Sequence, residues 1–291
     1  MVYRSAALIA FALVAVPMAR AADMSQVDTI FERKPAVSGD VMRYGFPRSD
    51  LKVTLDGVVI KPALALGGWV AFKPMGDKSM IMGDLVLTEG EINPVMAKLL
   101  ESGVEVTALH NHLLRANPPT FYMHVGGTGD PMKFATAIRA ALALTETPFP
   151  GPATSTPPPI DLDTAALDKA LGAKGKAVGG VYQFGIPRTD PVNADGMAIP
   201  AAMGSADAVN FQPTGDGKAA ITGDIVALSD EVVPLITAMR ANGIEVTAIH
   251  NHMLTDEPRT FFIHFWANDD AVKLAKAMRA ALDKTKAADA K

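Results

Sequence analysis

The chain has 291 residues, of which 49% are apolar and 20% are charged, and its formal net charge is −4. This composition is typical of a globular protein long enough for two domains, and it argues against disorder and against nucleic acid as a partner. The chain has no cysteine, which excludes disulfides, thiolate metal sites and a cysteine nucleophile.

The first segment has the features of a secretory signal peptide. Arg4 supplies a positive charge, residues 6–16 form an apolar run, and an Ala-Arg-Ala cleavage pattern ends at Ala21. The run is about half of the roughly 20 residues that a membrane-spanning helix needs. We therefore expect residues 1–21 to be removed near Ala21. The mature protein is then expected to be periplasmic or secreted, without a membrane span.

The rest of the chain is an internal duplication with an offset of 140 residues. The sequence YGFPRSD corresponds to FGIPRTD, and EVTALHNHLL corresponds to EVTAIHNHML. We predict repeat lobes over residues 22–146 and 162–291, joined by an extended proline-rich linker over residues 147–161. This linker does not fix the orientation of the lobes, so it leaves open whether their repeated sequences face each other.

Each repeat is predicted to contain a short helix, several strands, a helix, two strands and a closing helix. In the first repeat, β-branched and apolar runs between Gly, Pro and Asp predict strands around 41–46, 57–65, 69–73 and 79–87. A helix at 89–102 follows, and Thr88 and Glu91 form a capping box at its start. The pattern predicts an α+β fold of two homologous lobes, each an antiparallel sheet with helices packed mainly on one face.

All six histidines belong to the repeated hairpins: His110, His112 and His124 in the first copy, and His250, His252 and His264 in the second. Side chains alternate between the faces of a strand, so the two histidines of each H-x-H share a face. His124 joins them on that face if it lies opposite Ala108 or His110. Three imidazoles in each lobe can then form a ligand set for zinc or copper.

The two copies diverge in their helices but hardly at all in the histidine strand. Residues 88–104 share 3 of 17 positions with their copy, whereas residues 105–112 share 7 of 8. Core packing needs only apolar character and a suitable volume, so packing alone would let the strand diverge as well. We conclude that a further requirement restrains this strand.

Two arginines are candidate ligand-binding residues. Arg48 and Arg188 each follow a proline, and a guanidinium group can bind a carboxylate or a phosphate. Each can equally pair with a nearby acid, Asp50 or Asp190. We favour the pairing.

Asp84, Asp224 and Tyr122 are further candidates. Each aspartate follows a glycine within a predicted strand, where Asp is disfavoured. It can complete a metal site, act as a base, or mark a turn or a bulge. Tyr122 lies on the predicted histidine face, but the second copy has Phe262 there, which argues against an essential phenol.

The sequences HNHLL…PPTFYMHVGGTGD and HNHML…PRTFFIHFWANDD resemble the signature of the LppY/LpqO family of exported bacterial proteins of unknown function. The resemblance covers nearly all of both repeats. It implies export and a duplicated domain, and it implies no established reaction. The named members are lipoproteins, whereas this chain has no cysteine to lipidate, so surface anchoring is not implied.

Three functional hypotheses follow from these residues. The first is an exported protein that binds a metal ion, or a small molecule through a metal, with the six histidines as ligands. The second is a metal-dependent hydrolase with an activated water and Asp84 or Asp224 as a general base. The third is a structural or interaction module whose histidines only stabilise the hairpins. Few acid or base groups lie on the histidine face, which favours binding.

Overall fold

The computed structural model describes residues 24–150 and 159–288. The predicted signal peptide and residues 151–158 of the predicted linker lie outside the described residues. Within the described ranges, no helix is long and apolar enough to cross a membrane.

The elements of the first half are helices α1 (Ser25–Phe31), α2 (Pro62–Ala65), α3 (Glu89–Glu101) and α4 (Pro131–Leu142), and strands β1 (Ala36–Ser38), β2 (Val41–Pro47), β3 (Thr54–Leu55), β4 (Val58–Val59), β5 (Gly67–Met75), β6 (Lys78–Leu87), β7 (Glu105–His110) and β8 (Phe121–Gly129). Those of the second half are helices α5 (Thr164–Leu171), α6 (Val232–Ala241) and α7 (Ala271–Leu282), a 3-10 turn (Ala201–Met203), and strands β9 (Lys176–Val178), β10 (Val181–Pro187), β11 (Asn193–Ala194), β12 (Met197–Ala198), β13 (Ala206–Gly215), β14 (Lys218–Leu228), β15 (Glu245–His250), β16 (Asp256–Glu257) and β17 (Thr260–Asp270).

Each half contains a six-stranded antiparallel sheet. The strand order is β1-β2-β5-β6-β8-β7 in the first half and β9-β10-β13-β14-β17-β15 in the second. One face of the first sheet packs on α1, α3 and α4, where Phe46, Val70 and Met123 are buried. The second sheet packs in the same way on α5, α6 and α7. These two similar halves confirm the predicted α+β class.

Most predicted elements of the first repeat are present, with one error. The strands predicted around 41–46, 69–73 and 79–87 and the helix at 89–102 correspond to β2, β5, β6 and α3. The strand predicted at 57–65 is wrong, because this segment contains β4 and the helix α2, which begins at Pro62. Proline suits the first turn of a helix, since it has no N–H group to leave unpaired there.

The second face of each sheet is covered by the other half. Between β2 and β5 the chain leaves its own sheet, and one buried cluster joins this segment to the second sheet: Leu55, Ile60, Leu64, Val181, Ala220 and Trp266. The segment between β10 and β13 does the same for the first sheet: Val192, Ile199, Met203, Trp69, Ala71 and Met80. This exchange buries apolar surface from both halves and joins them.

Candidate metal centre

The first repeated hairpin carries its histidines on the face that meets the other half. His124 in β8 pairs with Ala108 of β7 on one side and with Asp84 of β6 on the other. The pairing with Ala108 is one of the two registers expected from the sequence. His110 is the last residue of β7, and His112 follows in the loop.

The second hairpin repeats this arrangement. His264 in β17 pairs with Ala248 of β15 and with Asp224 of β14. The strands run through both aspartates without a bulge, so the bulge interpretation of these residues is wrong. The aspartates are placed beside the third histidine of each repeat.

The six histidines form one cluster between the two halves. Their rings approach in three pairs, and each pair has one member from each half, with centroids 3.5, 3.7 and 3.9 Å apart: His110 with His250, His112 with His264, and His124 with His252. The two repeated hairpins therefore face each other, a point that the sequence left open.

Two groups of three histidines have ligand atoms within 4.8 Å of one another: His110, His250 and His264, and His124, His250 and His252. Each group draws on both halves. The structure thus groups the histidines differently from the expected set of three within each lobe. A metal ion held by either group would join the two halves.

Many ring nitrogens of the cluster are buried without a hydrogen-bond partner among the described residues. Every histidine has at least one buried ring nitrogen without a hydrogen-bond partner in the described part of the chain. His264 Nδ1 lies 2.6 Å from the Gly223 carbonyl oxygen, and His110 Nδ1 lies 3.1 Å from that of Asn111. A carbonyl oxygen only accepts, so Nδ1 carries the proton and Nε2 the lone pair. Metal-ligating histidines are oriented in this way.

Burial disfavours the charged form of the three imidazoles of the first repeat. Burial, with repulsion from His264, lowers the pKa of His110 to about 3. Burial also lowers the pKa values of His112 and His124 well below the usual range, and neighbouring imidazoles add to the effect. At neutral pH these rings carry free lone pairs, which is the form that binds a metal.

Two carboxyl groups lie against the histidines. Asp224 Oδ2 is 3.0 Å from His252 Nε2, although the two are not aligned as a hydrogen bond, and Asp84 Oδ2 is 3.7 Å from His112 Nε2. Burial, and then the charge of Asp224, raises the pKa of Asp84 to about 8. Burial also opposes ionisation of Asp224, but His264 and His252 outweigh it and lower its pKa. The carboxylates can add oxygen ligands to the imidazole nitrogens.

A glycine precedes each aspartate because the neighbouring strand leaves no room for a side chain. A Cβ atom at Gly83 would lie 2.8 Å from the Trp69 carbonyl oxygen, and one at Gly223 would overlap the Ala208 carbonyl. This close approach explains why both copies keep a glycine at this position of the strand.

Aromatic rings support the second histidine of each H-x-H. The Tyr122 ring stacks on His112 with centroids 3.2 Å apart, and Phe262 stacks on His252 at 3.3 Å. The Tyr122 hydroxyl donates to the Ala65 carbonyl oxygen at 2.7 Å. Tyr122 therefore contacts the centre through its ring, which the phenylalanine of the second repeat also provides.

The two candidate arginines make no contact with the cluster. All three guanidinium nitrogens of Arg48 donate hydrogen bonds, to Asp50, Glu91 and the Val86 carbonyl oxygen. The second repeat has the equivalent set: Arg188, Asp190, Glu231 and Val226. Carboxylates of the protein thus occupy the positions that an anionic ligand would take.

A family described as Domain of Unknown Function (DUF1259) matches the chain twice, over residues 25–144 and residues 165–284. The chain belongs to the DUF1259 family. Each match includes one histidine hairpin, so the centre is built from two DUF1259 repeats. No curated protein matches the chain.

Two solved structures overlap with this DUF1259 protein at low similarity. The trimeric bacterial microcompartment shell protein PduB is 14% identical, with 88% of this chain and 96% of that chain covered and a TM-score of 0.21. EtuB from Clostridium kluyveri is 11% identical, with 86% and 90% covered and a TM-score of 0.20. Overlaps at these TM-scores carry no argument about the fold or the function.

The DUF1259 repeats are joined by hydrogen bonds that the sequence analysis missed. Thr107 Oγ1 donates to the His252 carbonyl oxygen, and Thr247 Oγ1 donates to that of His112, both at 2.6 Å. Each threonine thus fixes the backbone of a histidine in the opposite repeat. Strand parity assigns these threonines to the face away from the histidines, but each lies at a bulge that interrupts the alternation.

The asparagines between the two histidines of each H-x-H also form hydrogen bonds that join the repeats. Asn111 Nδ2 donates to the Thr247 carbonyl oxygen at 3.1 Å, and Asn251 Nδ2 donates to that of Thr107 at 3.0 Å. These bonds account for the near identity of the two strands, because histidine, threonine and asparagine all act at the junction. The near identity of residues 105–112 and their copy was the sequence signal that could have identified these threonines and asparagines.

Proposed function

We propose that this DUF1259 protein is an exported metal-binding protein that holds zinc or copper in one centre between its two repeats. The six histidines are the proposed ligands, although His112 lies outside the two groups and beside Asp84, and Asp84 and Asp224 can complete the coordination. The observation that carries the proposal is the convergence of buried imidazole nitrogens that have no hydrogen-bond partner in the described part of the chain.

The energetics of burial favour a metal over a purely structural role. A buried polar atom without a partner costs about 1–3 kcal/mol, and such atoms are rare in folded proteins. Here they occur together, on rings that lie against one another, so their lone pairs repel. A cation at the centre removes both penalties. Histidines that only stabilised their hairpins would donate one ring N–H to a carbonyl oxygen and would accept a hydrogen bond from the protein at the other nitrogen.

The donor set favours zinc or copper. Imidazole nitrogen binds zinc and copper well, and carboxylate oxygen is an accepted further ligand. A coordination position left for water can also hold a small molecule, so a metal-bound small ligand fits the same centre.

The proposal of export rests on the sequence. The charge at Arg4, the apolar run at residues 6–16 and the cleavage pattern at Ala21 support it. The resemblance to the exported LppY/LpqO family supports it as well, and we propose that kinship for both repeats.

The position of the aspartates favours hydrolysis as a second candidate function. A carboxyl group beside a metal can accept a proton from a metal-bound water, and Asp84 lies against the ligands with its pKa raised by burial. A screen of ester, amide and phosphoester substrates tests this candidate. The Asp84→Asn variant should lose turnover while it keeps its metal, and a variant with full turnover would contradict the candidate.

Elemental analysis tests the main proposal. The mature protein, residues 22–291, is purified without a His-tag from the periplasm and compared with a variant that lacks all six histidines. We expect stoichiometric zinc or copper in the natural protein and none in the variant. The Tyr122→Phe variant is a matched control, because it alters a neighbour without removing a ligand. A natural protein that binds neither zinc nor copper, even on titration, would contradict the proposal.

A further inference from the structure

We propose that the centre holds two metal ions and that His250 ligates both of them, one through each ring nitrogen. This inference rests on the proposed function, because it requires that the cluster bind metal. It concerns the number of ions and the way in which they are linked.

The first observation is the composition of the two histidine groups. His110, His250 and His264 form one, and His124, His250 and His252 form the other. His250 is their shared member. A ring nitrogen offers one lone pair, so the same nitrogen of His250 cannot serve both groups at once. Two ions in the two groups require both of its nitrogens.

The second observation concerns the partners of those nitrogens. Nδ1 and Nε2 of His250 are both buried and both lack a hydrogen-bond partner in the described ranges. His110, its counterpart in the first repeat, stacks on it at 3.5 Å but has its Nδ1 at 3.1 Å from the Asn111 carbonyl oxygen. His264 likewise uses Nδ1 for the Gly223 carbonyl. The pseudo-symmetry is broken at the ring that the two groups share.

Protons and charge balance when both ring nitrogens of His250 bind an ion. When the second ion binds, the remaining N–H proton of His250 leaves to water, and the lone pair so released forms the second metal–nitrogen bond. The resulting anionic ring lies between two cations. No electron is transferred, and no further reactant is needed. The carboxylate of Asp224 adds negative charge close to both groups, since its oxygens lie 3.0 Å from His252 Nε2 and 3.9 Å from His264 Nε2.

Titration of the metal-free protein with copper(II), followed by electron paramagnetic resonance, tests the inference. We expect two equivalents to bind. The signal should rise up to the first equivalent and fall towards zero at the second, because two copper(II) ions joined by one imidazole ring couple their spins. The His250→Ala variant should show no such fall. The His110→Ala variant should bind one ion more weakly and keep the fall at saturating copper.

The outcomes separate this inference from the proposed function. Failure to bind copper or zinc would overturn both. Binding of a single ion, or of two ions whose signals add in full, would overturn only the shared role of His250 and would leave metal binding intact. The titration of the natural protein decides alone, so a variant that fails to fold does not leave the inference open.

Discussion

Replacement of Arg48 by methionine tests whether this arginine belongs to the fold or to a ligand site. Its side chain is 1% exposed, and its partners Asp50 and Glu91 are 19% and 12% exposed. The change removes the hydrogen bonds that Arg48 donates to both carboxylates and to the Val86 carbonyl oxygen. Removal of one partner from a buried ion pair costs about 3–5 kcal/mol. We expect the lower end of that range, because the carboxylates retain some contact with water.

The loss of stability in the Arg48→Met variant should become smaller as the pH falls. Burial raises the pKa of Glu91, but hydrogen bonds from Arg48 and from the Thr88 N–H outweigh it, so the pKa lies below the usual 4.5. A lowered pKa in the folded state stabilises the protein above the unfolded-state pKa, and this contribution is lost as the pH falls. Without Arg48, burial favours the protonated acid. The difference in stability between the natural protein and the variant should therefore shrink as the pH falls through about 4.5.

Urea denaturation followed by circular dichroism measures both the loss of stability and its dependence on pH. Arg188→Met is the matched variant, because its partner Glu231 is in the same position in the second repeat. A loss below about 1 kcal/mol, as for an exposed ion pair, or a loss that does not change with pH, would refute the reasoning. Loss of bound metal with unchanged stability would instead place Arg48 in a ligand site.

Changes around the histidine cluster should distinguish its supporting contacts from its ligands. Tyr122→Phe should lower the free energy of unfolding by about 0.5–1.5 kcal/mol, since one hydrogen bond is lost. Elemental analysis of this variant should find the metal content unchanged, and a loss of metal would show that the phenol has a role in metal binding. Thr107→Ala should lower the free energy of unfolding by a similar amount. It should also weaken metal affinity in a chelator competition, because the His252 backbone loses its hydrogen bond from Thr107. An unchanged affinity would contradict that role of Thr107. The metal-free protein should lose stability as the pH falls below about 6.5, because His110 stays neutral in the fold down to about pH 3 while the unfolded chain takes up protons. Urea denaturation across this pH range should show a free energy of unfolding that falls with the pH. A free energy that does not change with pH would contradict the prediction.

Local sequence signals were sufficient for the parts of the fold that depend on near neighbours. The offset of 140 residues revealed the duplication, and alternation along the strand predicted the shared face of His110 and His112. The capping box of Thr88 and Glu91 is present at the start of α3. For the histidine strand and the capping box, the relevant contacts lie within one hairpin or one helical turn, so their spacing is visible in the sequence.

Most features that the sequence did not predict depend on contacts between residues more than a hundred positions apart. The apolar run at residues 57–65 predicts a strand, because the sequence does not show that the second half buries it. Bulges reverse the side-chain alternation around Thr107, so strand parity misplaced it. The proline-rich linker carries no information on orientation, which left the meeting of the two histidine sets open.

The metal content of a variant without the histidines of the first repeat tests the central claim, a single centre shared by both repeats. The variant replaces His110, His112 and His124 by alanine and keeps every histidine of the second repeat. Each histidine group then loses a member, so the account predicts that no metal remains after dialysis against buffer, while circular dichroism shows the protein folded. Retention of one equivalent by the second repeat alone would show that each lobe holds its own site and would contradict the account.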